Sequence, residues 1–354
     1  MSHLLLLSVH RLRGGRSGEA VHLRQLAQAL AAAGERVTVL DGPLQPGRPV
    51  ADPGAALRRL HADLDRLLDA DRPAAALLWP GARGEETRLA RRLAEAGVRL
   101  VLEHPAADLP PDPDTVAYAA DVVVPSRFAR RHFAAATGRW AHAVEPLLRP
   151  CDCPADRLPA VGAVPFRVTF VNPEPAKGLG VVLTLAQASA AHRLPLRFRF
   201  VEGRWTAADL RRIGVDPTRI PHLEVVPFQE DVCGLYARTD LLLAPSLWRE
   251  SFGMVAREAT VHGVPVVATR VGGLPEAVGS GGICLDAPPC GPHYGVTLTG
   301  AQVRQWLAAM VAALRGGHRA PAGLRADSAA ATVTAYRELL LGPAAAGTGR
   351  SAQP

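Results

Sequence analysis

Residues 245–278 read PSLWRESFGMVAREATVHGVPVVATRVGGLPEAV, and the stretch continues the apolar run DLLLAPS (240–246). The apolar run is predicted as a strand ending at Pro245-Ser246. A loop carrying Glu250 follows, a helix opens near Phe252, and VPVVATR (264–270) is a second strand. Both strands are apolar at consecutive positions instead of alternating. Strands of that kind separated by a helix indicate a parallel sheet covered on both faces.

The same alternation extends in both directions. HLLLLSV (3–9), ERVTVLDG (35–42), AAALLW (74–79), VRLVLEH (98–104) and DVVVPS (121–126) are strands of the first half. Between them Leu23, Leu26, Ala27 and Leu30, then Leu57, Leu60, Leu64, Leu67 and Leu68, recur at helical spacing, with a further helix around Leu89 and Leu93. RPCDCPADRLPAVGAVP (149–165) is proline-rich and aperiodic, and reads as a linker. The pattern then restarts with FRVTFVN (166–172), LRFRFVEG (196–203), HLEVVPF (222–228), the two strands above and GGICLD (281–286). Helices start from Lys177 and from Phe252 and surround Trp306 to Leu314. The expected organisation is α/β: two doubly wound Rossmann-like domains, 1–155 and 156–327, facing across a cleft. A closing helix spans 328–342 and a disordered tail 343–354. Ligands would sit at the C-terminal ends of the strands.

Composition narrows the function. The chain has 354 residues, 48% hydrophobic and 21% charged, enough for packed cores. The run Leu4 to Leu7 is far short of the ~20 residues of a membrane span, and Arg11 and Arg13 follow it, the wrong order for a secretory signal. A cytoplasmic protein is expected, with peripheral attachment to the inner face of the membrane left open. Five cysteines without a CxxC pair make a disulfide framework or a zinc site unexpected. The charge of +7 suits nucleic acid, anionic lipid or a phosphorylated small molecule. Scattered basic residues and 5% aromatics argue against nucleic acid. Of the 40 basic residues 39 are arginine, so Lys177 stands out.

Several residues could carry chemistry. In the opening stretch the amides of Ser251, Phe252, Gly253 and Met254 would point out of a helix N-terminus, a place suited to phosphate or sugar oxygens. Gly253 lacks a Cβ, so a ligand could approach closely. Glu250 and Glu258, eight apart, could accept charge-assisted bonds from sugar and ribose hydroxyls, each worth about 1.5–3 kcal/mol. Acidic residues favoured by the helix dipole would give the same pattern. In FVNPEPAKGLG (170–180) Lys177 sits at a strand end where a helix begins, suiting an anionic ligand; an exposed lysine at a turn is the plain alternative. HRLRGGRSGEAVHLRQLAQAL carries Gly14, Gly15 and Gly18 before a helix but no GxGxxG. His104 ends a strand, where it could touch a substrate or merely pack. Asp63-Leu64-Asp65 and Asp112-Pro113-Asp114 look like metal-binding DxD motifs. The first is the polar face of a helix and the second lies in a proline-rich loop, and no metal site is expected.

With Lys177, Glu250 and Glu258 in place, the chain resembles the retaining GT-B glycosyltransferases of family 4 (glycosyl transferases group 1). The resemblance is strongest over 222–286, where Glu250-x7-Glu258, the FG after the first glutamate, HGVPVVAT and VGGLPE (271–276) fall in the family's order. It implies that Glu250 holds donor-sugar hydroxyls, that Phe252, Gly253 and Met254 offer amides, and that Glu258 binds the ribose. Lys177 would neutralise the leaving nucleoside diphosphate, Gly18 would face the phosphates, and His104 would contact the transferred sugar. Catalytic roles thus fall to Lys177, Glu250 and His104, and donor binding to Gly18, Asn172, Ser251, Phe252, Gly253, Met254 and Glu258. The family commonly has arginine five residues before the lysine. Here that residue is Asn172, able to donate a hydrogen bond, and a nearby arginine such as Arg16 or Arg204 could stand in.

The resemblance implies transfer of a hexose-type sugar from a nucleotide-diphosphate sugar, with retained anomeric configuration and without a cofactor or metal. The acceptor, a glycan, a lipid or a small molecule, is left unspecified, as are nucleobase and sugar. A nucleotide-sugar epimerase on the same architecture and a non-catalytic nucleotide-sugar binder are the competing readings.

Overall fold

The computed structural model describes residues 1–12, 18–44, 52–80, 84–105, 110–148, 165–316 and 324–342. The chain divides into two units, Met1–Leu148 with Ala326–Pro354, and Arg149–Arg325. The expected linker, apart from its last residue Pro165, the tail 343–354 and the loop residues Arg13 to Ser17 lie outside the described residues.

Unit 1 is built on strands β1 (His3–His10), β2 (Arg36–Leu44), β3 (Ala75–Trp79), β4 (Arg99–Glu103), β5 (Asp121–Val124) and β6 (His142–Ala143). Its helices are α1 (Gly18–Ala32), α2 (Pro53–Ala70), α3 (Glu85–Glu95), α4 (Pro113–Tyr118) and α5 (Arg127–Thr137). The sheet is parallel in the order β2-β1-β3-β4-β5-β6. Alternation along β1 explains its unbroken apolar run. Leu5, Leu7 and Val9 face Leu64, Leu89 and Phe133, whereas Leu4 and Leu6 face Leu23, Leu26 and Tyr336. Cap chemistry sets the helix ends: Ser126 Oγ accepts the Ala129 amide at 2.9 Å to start α5, and Gly138, left-handed, stops it.

Unit 2 repeats the plan with β7 (Phe166–Val171), β8 (Leu196–Val201), β9 (Leu223–Val226), β10 (Leu241–Ala244), β11 (Val266–Thr269) and β12 (Gly282–Leu285). Its helices are α6 (Leu179–Ala191), α7 (Ala207–Arg212), α8 (Val232–Ala237), α9 (Met254–Val261), α10 (Leu274–Val278) and α11 (Gly300–Gly316). The strand order is β12-β11-β10-β7-β8-β9, again parallel. Val168, Phe170, Leu241, Leu243 and Val267 pack under α6 and α11; Leu242, Val266 and Ala268 pack under α8, α9 and α10. The fold is therefore the expected α/β class with two doubly wound, Rossmann-like sheets. The last helix, α12 (Leu324–Leu341), buries Tyr336 and Leu340 in the core of unit 1.

Three expectations need revision. The helix read from Lys177 begins at Leu179, after a 3₁₀ turn over Pro175–Lys177 and a left-handed Gly178. The helix read from Phe252 begins at Met254, because Gly253 before it is left-handed at φ 106°, outside the helical region; Phe252 is buried in the core. Cys233, moreover, is disulfide-bonded, whereas Cys284 and Cys290 are free thiols. No helix among the described residues is long and apolar enough to cross a membrane.

Candidate functional site

In unit 2 the strand order reverses between β7 and β10: β8 and β9 extend one way, β11 and β12 the other. The loops leaving two such strands diverge and open a crevice at their C-terminal ends. The loop after β7 carries Lys177, and the loop after β10 carries Glu250.

The two loops are locked together by backbone contacts. The Leu247 amide donates to the Ala176 carbonyl at 2.9 Å. Gly178 adopts φ 90°, and a Cβ there would fall 2.0 Å from the Pro245 carbonyl oxygen, so only glycine lets the turn close on β10. On the other side the Gly273 amide donates to the Glu250 carbonyl at 2.7 Å, and Thr269 Oγ1 donates to the Ser246 carbonyl at 2.6 Å. Lys177 is thereby delivered to Glu250, its Nζ donating to Oε1 at 2.5 Å. Ser246 Oγ donates to the same oxygen at 2.6 Å. The Lys177 ammonium also lies 4.8 Å from the centre of the Trp248 ring, within cation–π range.

Burial by itself would push the Glu250 carboxyl up. The charge of Lys177 and the bonds from Lys177 and Ser246 outweigh it, and the carboxyl lies below its ordinary range. Glu250 is therefore an anion at neutral pH, its charge matched by Lys177.

The remaining predicted residues of unit 2 take different places. Glu258, in the second turn of α9, is buried and accepts from Tyr236 Oη at 3.1 Å. Gly253 caps α9 with φ 106°, and a Cβ there would meet Leu274 Cδ2 at 2.6 Å; packing and backbone, before any ligand, require this glycine. The first α9 bond runs from the Arg257 amide to the Gly253 carbonyl, so the amides of Met254, Val255 and Ala256 precede the helical ladder. The outward-facing set is thus shifted along the chain from the expected 251–254. Ser251 lies in the loop, partly exposed. Asn172 is left-handed at φ 57°, and its Oδ1 accepts the Trp205 amide at 3.0 Å. Beside it, Arg204 Nη2 donates to Glu174 Oε1 at 2.6 Å. Trp248, Ser246, Tyr236, Glu174 and Arg204 were not singled out as site residues by spacing, apart from Arg204 as a stand-in cation; the partners of all but Ser246 are remote in sequence.

In unit 1, Gly18 is the exposed first residue of α1. His104 follows β4, donates its amide to the Val123 carbonyl at 2.8 Å, and is buried with its ring 5.5 Å from that of Phe133. Next to it, Glu103 belongs to a buried polar cluster. The Leu147 amide donates to His22 Nδ1 at 2.8 Å, which leaves Nε2 facing Glu103 Oε1 and Tyr336 Oη, both at 3.1 Å. Burial and Glu103 together push the Tyr336 phenol well above its usual value.

The DxD-like pairs have local duties. Asp63 and Asp65 pair with Arg66 and Arg92, and Asp112 caps α4. Among the described residues no group of three His, Cys, Asp or Glu side chains is placed to hold a metal ion.

Residues 166–314, the core of unit 2, match the model of the family described as glycosyl transferases group 1. A 76-residue segment is 47% identical to the D-inositol 3-phosphate glycosyltransferase of Corynebacterium efficiens; it covers 21% of this chain and only 17% of that protein's length. Among solved structures, HepE of Anabaena in complex with UDP is similar over 96% of this chain and 99% of that one, with a TM-score of 0.63 at 16% identity. The catalytic domain of starch synthase IV from Arabidopsis thaliana, bound to ADP and acarbose, is similar over 96% and 98%, with a TM-score of 0.67 at 11% identity. Residues 166–314 are thus similar to the glycosyl transferases group 1 family, and the two Rossmann-like units of the chain have the GT-B fold.

Proposed function

We propose that the chain is a retaining glycosyltransferase that moves a sugar from a nucleoside-diphosphate sugar to an acceptor hydroxyl. The observation that carries this reading is the Lys177–Glu250 pair at the point where the sheet of unit 2 reverses order. That is where an α/β sheet binds ligands, and the pair offers one cation and one anion side by side. Its support from relatives is the inositol-phosphate glycosyltransferase segment and the nucleotide-bound neighbours.

In this reading the ammonium of Lys177 and the first amides of α9 meet the diphosphate. Glu250 accepts from hydroxyls of the sugar, and Glu258 from the ribose. The transition state has oxocarbenium character at the anomeric carbon and growing negative charge on the leaving diphosphate. Groups already aimed at that charge stabilise it more than they stabilise the intact donor, which is the condition for lowering the barrier. The acceptor oxygen attacks from the face that the diphosphate leaves, the departing phosphate takes its proton, and the configuration is retained. Protein cations and amides supply the electrostatics, so the reaction is proposed to proceed without a metal.

A melting-temperature screen with UDP, GDP, ADP and their sugar conjugates tests this. One nucleotide class is expected to stabilise the protein, and Lys177→Ala to bind it about 10–100-fold more weakly. Donor turnover with a chelator present, and the anomeric configuration of the product read by NMR, then test transfer itself. Absence of any nucleotide-dependent shift would overturn the reading.

A further inference from the structure

We infer that Arg204 is a second phosphate-binding cation of unit 2, presented from the loop after β8, and that Asn172 is the bracket that positions it. The inference rests on the proposal that unit 2 binds a nucleoside diphosphate.

Two ion pairs flank the loop that follows β7. Lys177–Glu250 ties it to the loop after β10, and Arg204–Glu174 ties it to the loop after β8. Since β10, β7 and β8 are consecutive in the sheet, both pairs lie at its C-terminal edge, one on either side of the β7 loop. They are alike in a second respect: the carboxylate is the buried partner and the cation the accessible one. The side chains are 11% exposed in Glu250 against 21% in Lys177, and 9% in Glu174 against 49% in Arg204.

A structural pair in the same unit looks different. Arg167 offers Nε and Nη2 to the two oxygens of Asp240, both at 2.9 Å, and so spends its fork on the carboxylate. Arg204 gives Glu174 a single nitrogen, Nη2. Its other N–H groups stay on a half-exposed guanidinium, whose planar fork matches phosphate oxygens.

Asn172 organises both halves of this pair. Its side-chain oxygen takes the Trp205 amide, fixing the residue next to Arg204. Its carbonyl takes the Glu174 amide at 2.7 Å. The β8 loop packs on it so tightly that a Cβ on Gly203 would lie 2.9 Å from both Asn172 Cβ and Oδ1. Residue 172 is therefore committed to holding the neighbouring loop, and the positive charge sits on that loop at Arg204. A diphosphate arriving between the two loops would draw on Lys177 from one side and Arg204 from the other.

Calorimetric titration of wild type, Arg204→Gln, Arg204→Lys and Lys177→Ala with UDP, GDP and ADP tests this, alongside the melting temperature of each unliganded protein. Arg204→Gln is expected to bind the preferred diphosphate about 10–100-fold more weakly, with Arg204→Lys between it and wild type because charge returns without the fork. A merely structural pair would lower the melting temperature and leave affinity unchanged. Unchanged affinity in Arg204→Gln, with affinity lost in Lys177→Ala, overturns the assignment of Arg204 and leaves the nucleotide reading intact. If Arg204→Gln fails to fold, wild-type affinity in Arg204→Lys overturns it equally, and reduced affinity at a wild-type melting temperature supports it. Wild-type protein that binds none of the three removes the nucleotide reading, and this inference with it.

Discussion

Glu250 keeps its charge in surroundings that would otherwise neutralise it, and that has a measurable consequence. Its folded pKa is depressed, so the pair with Lys177 contributes stability in full above the unfolded glutamate range and loses it as pH falls through the folded value. Urea unfolding of wild type and Glu250→Gln, followed from neutral to acid pH, is expected to show a gap of about 1–3 kcal/mol at neutral pH that closes in acid. A gap independent of pH would contradict this. Lys177 and Glu250 were legible beforehand, the one because it is the chain's single lysine, the other because of its spacing from Glu258. Arg204 was harder to assign, being one of 39 arginines; what distinguishes it is a partner thirty residues upstream. The work of Asn172 depends on a left-handed backbone and a bond to residue 205, and neither leaves a mark in composition or periodicity.

Secondary-structure elements were the most legible level. The inner strands β1, β3, β10 and β11 announced themselves as apolar runs, because a strand buried on both faces has few polar positions, whereas β8, LRFRFV, shows instead the alternation of a half-buried strand. Short helices such as α7, α8 and α10, of five or six residues, are too brief to establish a 3.6-residue period, and were not read. The starts of α6 and α9 were placed early for one shared reason: each is preceded by a left-handed glycine that packing demands. Comparing two glycine substitutions separates backbone from packing. Gly34, φ 91°, has nothing within 4 Å of an added Cβ, and Gly34→Ala is expected to cost only the backbone term, about 1–2 kcal/mol. Gly178→Ala, facing the Pro245 carbonyl, is expected to cost more and also to weaken nucleotide binding by displacing Lys177. Thermal unfolding and the nucleotide titration report the two effects; equal costs and unaltered affinity would refute the role given to the turn.

At the level of the whole molecule, α12 belongs to a unit whose other elements were completed before unit 2 began. Thr332 Oγ1 donates to the Glu145 carbonyl, Arg337 pairs with Glu35 at 2.8 Å, and Tyr336 is fully buried against His22 and Glu103. Tyr336→Ala is expected to cost about 3–5 kcal/mol, and Tyr336→Phe, which keeps the ring, appreciably less. The test is denaturant unfolding of both variants, and equal losses would place the stabilisation in the hydroxyl instead of the packing. On the ribosome the same arrangement reverses the usual order of completion. Domains generally fold as they emerge, but the face of the first sheet that carries Leu4, Leu6 and Val101 must wait, uncovered by its final helix, until the second domain has been translated. The nascent first domain is thus an exposed intermediate for the length of that wait, a natural client for chaperones, and premature termination before α12 would leave it unfinished although almost all of its own residues had been made.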